Sequence, residues 1–359
     1  MGSRVRYVTR ESVQDAFDIR EAAHRSAQID AAIDSASDDI DGWLNRHKHG
    51  LAPTIATRYF RWPTRDYSTA WNLWLDENEI ISVTTLTAGG TAIAASDFFL
   101  EPVNSGPPYT HIEIDLDSNA SFSNTGTSQR AIEIVGKWGI NDDQKAAGAL
   151  ESAISTTTTT TVDVTRSDLV GVGSVMQVDS EKMLVTEKGT LDTTQDLASA
   201  MNALKSDQTV DVTDGSLFFV GEQILIDSER MRITDITGNN LTVIRAYDGS
   251  TLATHSLGAS VFVYRRLTVE RGALGTTAAT HADAASVTVW DVPSLVEDLA
   301  RAEAITRLEQ EFSAYGARVY SDEAERDSSG TEVVAGRGLT DLRKACARRY
   351  KRKFRKRAI

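Results

Sequence analysis

Apolar residues near both ends of the chain recur every three or four positions, the spacing of an amphipathic helix. Near the N-terminus this pattern predicts a helix from about Thr9 to Asp34, with Thr9 as its N-cap, and a shorter helix after Ser37. Near the C-terminus it predicts a helix that follows Pro293 and continues to Val319. A last apolar stripe in a heavily basic segment is formed by Leu339, Leu342, Cys346, Tyr350 and Phe354.

The middle of the chain has a different pattern, beginning near Ile55. Short runs such as His111–Ile114 and Ala131–Val135 alternate apolar and polar residues, and turn-forming residues separate them. Alternation with a period of two predicts β-strands. Asn141–Asp143 would suit the cap and first turn of a further helix. The expectation is a β-rich loop that a helix follows.

The region after the threonine run Thr156–Thr161 repeats itself. Residues 161–188 align without gaps with residues 209–236, 48 positions later, because Thr209 corresponds to Thr161. Residues 241–264 align in the same way with residues 267–290, 26 positions later, because Leu267 corresponds to Leu241. The two first halves therefore precede the two second halves. This order predicts that one small β module is inserted inside another.

Two local features refine this arrangement. Thr237–Asn240 lies where the halves of the inner module meet and has the composition of a hairpin turn. Asp192–Lys205 carries Leu197, Met201 and Leu204 at helical spacing, which predicts a short helix between the modules.

Some polar residues recur at equivalent positions of the repeats and are candidates for an active site. Asp179–Glu181 recurs as Asp227–Glu229, and His281 corresponds to His255. A duplicated turn is a better explanation for these repeats than a duplicated active site. The chain has no Gly-x-Ser-x-Gly elbow, no Walker motif and no cysteine or carboxylate at ligand spacing beside His47 and His49. The sequence therefore predicts no enzyme activity, no cofactor and no metal.

Charge is distributed unevenly along the chain. The net charge is -13, but residues 341–359 contain ten Lys or Arg and one acid, which makes +9 and leaves -22 for the rest. The pattern is typical of an acidic body with a segment that binds a polyanion or an acidic protein surface. No apolar run approaches the roughly 20 residues that span a bilayer, so no membrane contact is expected. The single cysteine, Cys346, excludes an intrachain disulfide and suits a reducing cytoplasm.

A set of short motifs follows in a fixed order through the N-terminal part. They are Ala36–Leu44, Thr57–Phe60, Leu75–Asp76, Ile80–Leu86, Ala95–Pro102, Pro107–Thr110 and Gly136–Gly139. In this order and spacing the chain resembles the head-to-tail connector (adaptor) family of tailed bacteriophages, the neck proteins that bind the portal ring. The family usually lacks an insertion as large as the nested β modules, so the resemblance does not extend to them.

The resemblance implies a fold and a set of partners. The expected fold class is α+β, a helical-bundle adaptor core with a β-rich loop. Two nested small all-β modules, barrels or sandwiches, are inserted before the C-terminal helices. The implied partners are further copies of the chain in a twelve-fold ring, the portal protein, the next neck or tail-completion protein, and double-stranded phage DNA in the lumen. The implied location is the virion neck.

The expected domains follow from these patterns. They are an adaptor core (1–155), an outer β module (156–207 and 265–290), an inner β module (208–264), a core-completing helix (291–320), a linker (321–338) and a basic docking tail (339–359).

The basic tail is the candidate site. The predicted portal-docking residues are Leu339, Leu342, Arg343, Lys344, Arg348, Arg349, Tyr350, Lys351, Arg352, Lys353, Phe354 and Arg355. Contact with DNA and a disordered solubilising role are the alternatives for this segment. For the whole chain, the alternative function is an exposed virion adhesin or carbohydrate-binding protein that acts through its β modules.

Overall fold

The computed structural model describes residues 4–16, 26–46, 50–63, 70–76, 78–124, 126–312 and 337–352. The chain is mostly β-sheet, with 37% strand and 22% helix. The expected α+β fold class, a helical-bundle core with a β-rich loop and inserted β modules, is therefore wrong. The alternation of apolar and polar side chains builds large antiparallel sheets that bury one face of each strand, and helices are the minor element.

Four helices lie in the described residues: α1 (Arg10–Ala16), α2 (Ser26–Trp43), α3 (Ser294–Phe312) and α4 (Arg337–Tyr350). The hydroxyl of Thr9 accepts a hydrogen bond from the main-chain N–H of Ser12 at 3.2 Å, so Thr9 caps α1 as predicted. The separate helix predicted after Ser37 is instead the continuation of α2. Residues 17–25, and the predicted part of the C-terminal helix beyond Phe312, lie outside the described residues.

The chain divides into two compact units. The larger unit contains Met1–Ser37, Gln144–Ala273 and Thr277–Cys346. The smaller unit contains Asp38–Asp143, Leu274–Thr276 and Ala347–Ile359. This division differs from the predicted domains, because residues 1–37 group with the repeat region and not with residues 38–143.

The smaller unit has two antiparallel sheets. Its strands are β1 (Thr54–Phe60), β2 (Asn72–Trp74), β3 (Ile80–Ala88), β4 (Thr91–Ile93), β5 (Phe98–Glu101), β6 (His111–Ile114) and β7 (Ile132–Trp138). One sheet has the order β1-β7-β3-β4 and the other β2-β6-β5. Both contribute side chains to one hydrophobic cluster, whose fully buried members include Leu75, Ile112, Ile134 and Trp138.

The larger unit has one ten-stranded antiparallel sheet among its described residues. Its strands are β8 (Gln144–Ala149), β9 (Thr161–Asp163), β10 (Val175–Val178), β11 (Glu181–Asp196), β12 (Thr209–Asp211), β13 (Gln223–Ile226), β14 (Glu229–Thr237), β15 (Asn240–Ile244), β16 (Ser260–Glu270) and β17 (Ser286–Trp290). The order is β12-β15-β14-β13-β16-β11-β10-β17-β8, and β9 pairs with β16.

Repeat-equivalent residues of this sheet occupy equivalent places in two hydrophobic clusters. The outer cluster includes Met176 and Met183, and the inner cluster includes Ile224 and Met231, each 48 positions later. The strands β11 and β16 pair with each other along their length and contribute residues to both clusters. The two clusters are therefore connected by continuous strands.

Three local predictions can be compared with these elements. The predicted hairpin turn is confirmed, since Thr237 pairs with Asn240 and the two residues between them connect β14 to β15. The helix predicted to begin at Asn141–Asp143 is wrong, because β8 begins at Gln144, directly after these residues, and pairs with β17. The helix predicted for Asp192–Lys205 is also wrong. Strand β11 continues to Asp196, and Leu197 and Met201 then form isolated bridges and pack in the inner cluster.

Candidate functional site

The basic helix α4 packs in part against the body of the larger unit. Cys346 is completely buried, and Leu339 and Leu342 are half-buried. The guanidinium of Arg343 donates two hydrogen bonds to the carboxylate of Glu303 in α3, at 2.6 and 2.9 Å. A bidentate pair of this kind fixes orientation as well as position. Arg343 therefore holds α4 in place.

The end of α4 is fixed by main-chain contacts within the smaller unit. Arg46 donates to the carbonyl oxygen of Tyr350 from two guanidinium nitrogens, at 2.9 and 3.2 Å. The N–H of Arg352 donates to the carbonyl oxygen of Leu44 at 3.1 Å. A guanidinium at the last carbonyls of a helix is favourable, because it satisfies acceptors that have no partner inside the helix. The described part of the predicted tail is thus an ordered, anchored helix.

Four cations of α4 and of the residue after it point to solvent. Lys344, Arg348, Arg349 and Lys351 are exposed. The Lys344 ammonium lies 3.9 Å from a carboxylate oxygen of Asp341, and the Arg349 guanidinium lies 5.4 Å from the centre of the Tyr350 ring. We call these four residues the cationic face. Guanidinium and ammonium groups at this density bind carboxylates or phosphates.

The twelve predicted docking residues thus separate into three groups. Four form the cationic face. Five serve internal packing or internal hydrogen bonds: Leu339, Leu342, Arg343, Tyr350 and Arg352. Lys353, Phe354 and Arg355 lie outside the described residues.

A second candidate site is an ion network in the inner module. The Glu229 carboxylate accepts hydrogen bonds from the Arg245 guanidinium, with Nε–Oε1 at 2.8 Å and Nη2–Oε2 at 2.9 Å. Nε2 of His255 lies 2.9 Å from Oε2 of Glu229, and Nδ1 of the same ring lies 2.7 Å from a carboxylate oxygen of Asp227. The side chains of Glu229 and His255 are completely buried. We call these four residues the inner ion network.

The outer module contains the same arrangement. The Glu181 carboxylate accepts from Arg271 at 2.7 and 2.8 Å, and the His281 ring lies 2.9 Å from Glu181 and 2.8 Å from Asp179. In both networks the Asp is the first residue of a two-residue hairpin turn and has a φ of 51°. Aspartate tolerates this left-handed conformation better than most residues. The motif thus positions a turn, as the sequence predicted.

Hydrogen bonding determines the protonation of the two buried glutamates. Burial alone would raise the pKa of the Glu229 carboxyl, but hydrogen bonds from Arg245, the Ala253 N–H, His255 and the Ala246 N–H lower this pKa to about 2. The pKa of Glu181 is lowered to about 2 by the equivalent contacts, against the same effect of burial. Both residues are carboxylates with occupied acceptor sites. This geometry suits a structural ion pair.

A cavity of about 690 Å³ lies within the larger unit. Its lining includes Glu11 and Asp15 of α1, Lys188 of β11, and Val220 and Tyr264 of the inner module. The Lys188 ammonium lies 2.9 Å from a carboxylate oxygen of Glu11. No sequence pattern indicates this cavity, because it forms between segments that are far apart in the chain.

No family model, curated protein or solved structure matches the chain. Among the described residues, the helices are too short or too polar to span a lipid bilayer.

Proposed function

We propose that the chain is a structural head-to-tail connector of a tailed-phage virion, a neck subunit that forms a ring under the portal and joins capsid to tail. The observation that carries the proposal is the cationic face on an anchored helix of a chain whose net charge is -13. The N-terminal motifs that resemble the adaptor family support it. The proposal retains the role that the resemblance implies and does not depend on a helical-bundle core.

The charge distribution suits such a subunit. A ring whose body is acidic would repel the phosphates of passing DNA, which favours transit over adhesion. The cationic face would bind an acidic surface of the portal, because charge complementarity directs association and fixes register. The ring, its twelve-fold symmetry and the neck location belong to this proposal.

The test is electron microscopy of the purified chain mixed with the portal ring from the same genome. We expect a ring of the chain stacked on the portal. A variant with Arg348→Glu and Lys351→Glu should lose this stacking, because two cations of the docking surface become acids. The matched control, Arg130→Glu with Lys205→Glu, makes the same charge change at two exposed positions outside α4 and should stack like the wild type.

The outcomes separate the competing functions. Failure of the wild-type chain to stack on the portal would contradict the proposal. It would favour the alternative, an adhesin or carbohydrate-binding role of the β modules. If the Arg348→Glu/Lys351→Glu variant stacks normally but loses salt-dependent binding to double-stranded DNA, the cationic face contacts DNA and not the portal.

A further inference from the structure

The ring of His255 lies between two carboxylates in the inner ion network. Its Nδ1 is 2.7 Å from a carboxylate oxygen of Asp227, and its Nε2 is 2.9 Å from Oε2 of Glu229. A carboxylate accepts hydrogen bonds and cannot donate them. Glu229 is ionised at neutral pH, because its pKa is about 2. Both nitrogens of the His255 ring therefore have to carry a proton, which makes the ring an imidazolium ion.

Two effects oppose this charge. The side chain of His255 is completely buried, and burial favours a neutral ring. Arg245 is a second cation at Glu229. A neutral ring, however, would turn an unprotonated nitrogen toward a carboxylate oxygen at hydrogen-bond distance, so that two acceptors would be in contact. With an imidazolium ion every contact of the ring has a donor and an acceptor, and the four charges of the network sum to zero.

The outer module repeats this arrangement at its own histidine. The ring nitrogens of His281 lie 2.8 Å from Asp179 and 2.9 Å from Glu181, and the pKa of Glu181 is also about 2. In both modules the ring is buried, but the side chains of Asp227 and Asp179 are 60% and 66% exposed. The exposed aspartate connects each buried ring to solvent. Each ring can therefore respond to the pH of the medium.

Each histidine closes a loop of ten residues around its glutamate. The inner histidine loop is residues 246–255. The N–H groups of Ala246 and Ala253 donate to the carboxylate of Glu229, both at 2.9 Å, and the histidine at the end of the loop makes the remaining contact. The outer histidine loop, residues 272–281, has the equivalent contacts in its own network. Each loop is thus held to its hairpin turn by the histidine ring.

The segment on the other side of His255 contacts it through the main chain. Met201 and His255 exchange two main-chain hydrogen bonds, at 2.9 and 3.0 Å. Asp207, a charged residue of that segment, accepts a hydrogen bond from the N–H of Asn202. The charged groups at the ring and its glutamate come from the β13–β14 hairpin and the residue after β15: Asp227, Glu229 and Arg245.

The inner histidine loop also holds α1. The hydroxyl of Tyr247 donates to a carboxylate oxygen of Asp15 at 3.2 Å. The side-chain amide of Gln14 donates to the carboxylate of Asp248 at 3.2 Å. Tyr247 and Asp248 both belong to the loop that His255 closes. Opening of this loop would therefore remove two contacts of α1.

We propose that His255 and His281 are pH-sensitive switches, each of which fastens its histidine loop as an imidazolium ion and releases the loop on deprotonation. A free histidine loses its proton near pH 6.5, whereas the closed loop retains it. The stabilisation is thus complete below about pH 6.5 and is lost as the pH rises through the range in which the folded ring loses its proton. The proposal does not depend on the connector function, since it concerns only the two ion networks.

The direct test is NMR of the full-length chain with 15N-labelled histidine at pH 7.5. A free histidine is about 90% neutral at this pH. His255 and His281 should instead give the nearly equal Nδ1 and Nε2 shifts of an imidazolium ion. The variants His255→Gln and His281→Gln assign the signals, because each removes one of them. Widely different nitrogen shifts, the pattern of a neutral ring, would overturn the proposal for the module in which they occur.

The variant Asp227→Asn tests the cause. Asparagine tolerates the left-handed turn conformation, and its amide can donate to an unprotonated Nδ1. A neutral His255 then has a partner at each nitrogen, so its titration midpoint should fall by about one pH unit. His281 is the internal control and should keep its midpoint. Asp235→Asn, the same change at an exposed position of β14, should move neither midpoint. An unchanged midpoint of His255 in Asp227→Asn would overturn the proposal.

Hydrogen exchange measures the release of the loop. In the wild-type chain the protection factors of residues 246–255, which correct for base catalysis, should fall by up to about tenfold per pH unit above pH 6.5, and those of α1 should fall with them. In His255→Gln, protection of residues 246–255 should not depend on pH, while residues 272–281 keep their dependence. Equal protection of the wild-type inner loop at pH 6.5 and pH 8.5 would overturn its release by deprotonation.

Discussion

The carboxylate of Glu229 accepts hydrogen bonds from Arg245, His255 and two main-chain N–H groups while its side chain is completely shielded from solvent. Removal of one partner from such a buried ion network leaves the others charged and without compensation. The network therefore stabilises the fold when all of its members are present. The same holds for Glu181 in the outer network.

We predict that Glu229→Gln lowers the free energy of unfolding at pH 7 by about 3 kcal/mol. The folded-state pKa of Glu229, about 2, is below its ordinary value of 4.5. Its contribution is thus fully present above pH 4.5 and is lost as the pH falls through 2. Urea unfolding should show that the difference between wild type and variant shrinks over this interval.

The control for this prediction is Glu151→Gln, which changes the same functional group at an exposed position of the larger unit. It should alter the free energy of unfolding by no more than about 0.5 kcal/mol at any pH. A wild-type advantage over Glu229→Gln that stays constant down to pH 2 would contradict the assigned pKa.

At the scale of elements, α1 is a short helix that polar contacts fix to the sheet. Arg10 donates to Glu187 at 2.8 Å, Glu11 accepts from the Val172 N–H, and Gln14 donates to Asp248 at 3.2 Å. A helix of seven residues is unstable alone in water, so these contacts determine whether it forms.

We predict that Gly171→Ala detaches α1 without unfolding the sheet. The new Cβ atom would lie 2.6 Å from Thr9 and 2.7 Å from a carboxylate oxygen of Glu11, which should cost about 1–3 kcal/mol. Hydrogen exchange should then accelerate in residues 10–16 and remain slow in β13. Gly189→Ala is the matched control, since the nearest heavy atom to its Cβ would be 3.7 Å away. If hydrogen exchange in residues 10–16 accelerates as much in Gly189→Ala as in Gly171→Ala, the contact with Thr9 and Glu11 is not the cause.

Sequence patterns predicted those elements whose cause is local. The Thr237–Asn240 turn is set by its own residues, and the Thr9 cap by a hydroxyl three residues from its donor. The helices expected at Asn141–Asp143 and Asp192–Lys205 failed because partners distant in the chain decide these segments. Pairing with β17 makes the residues after Asp143 a strand, and Leu197 and Met201 of the second segment pack in the inner cluster.

The candidate sites show the same division. Constant offsets already indicated that the aspartates, glutamates and histidines of the two networks share a role, and Arg245 and Arg271 follow the second offset. Their ion pairing could not be read from the chain, because Glu229 and Arg245 meet only through strand pairing. The pairing of Arg343 with Glu303 was missed because it joins two helices, α4 and α3, at residues 40 positions apart in the chain.

At the scale of the molecule, the larger unit consists of two similar β modules that share strands. Strand β11 contributes Met183 to the outer cluster and reaches the inner cluster with Leu191, and β16 contributes Val261 to the inner and Leu267 to the outer cluster. Neither cluster can lose its part of these strands without disturbing the pairing in the other. Separate unfolding of the two modules would break continuous hydrogen-bonded strands.

We therefore predict that the modules unfold as one cooperative unit. Met231→Ala removes a completely buried side chain from the inner cluster and should cost about 2–5 kcal/mol. Native-state hydrogen exchange should record this loss equally in β13, beside the substitution, and in β10 of the outer cluster, because both open only on global unfolding. Leu204→Ala, at an exposed position, should change neither strand. Unchanged protection of β10 in the Met231→Ala variant would mean that the shared strands do not couple the modules, and that the inner module behaves as an independent insertion.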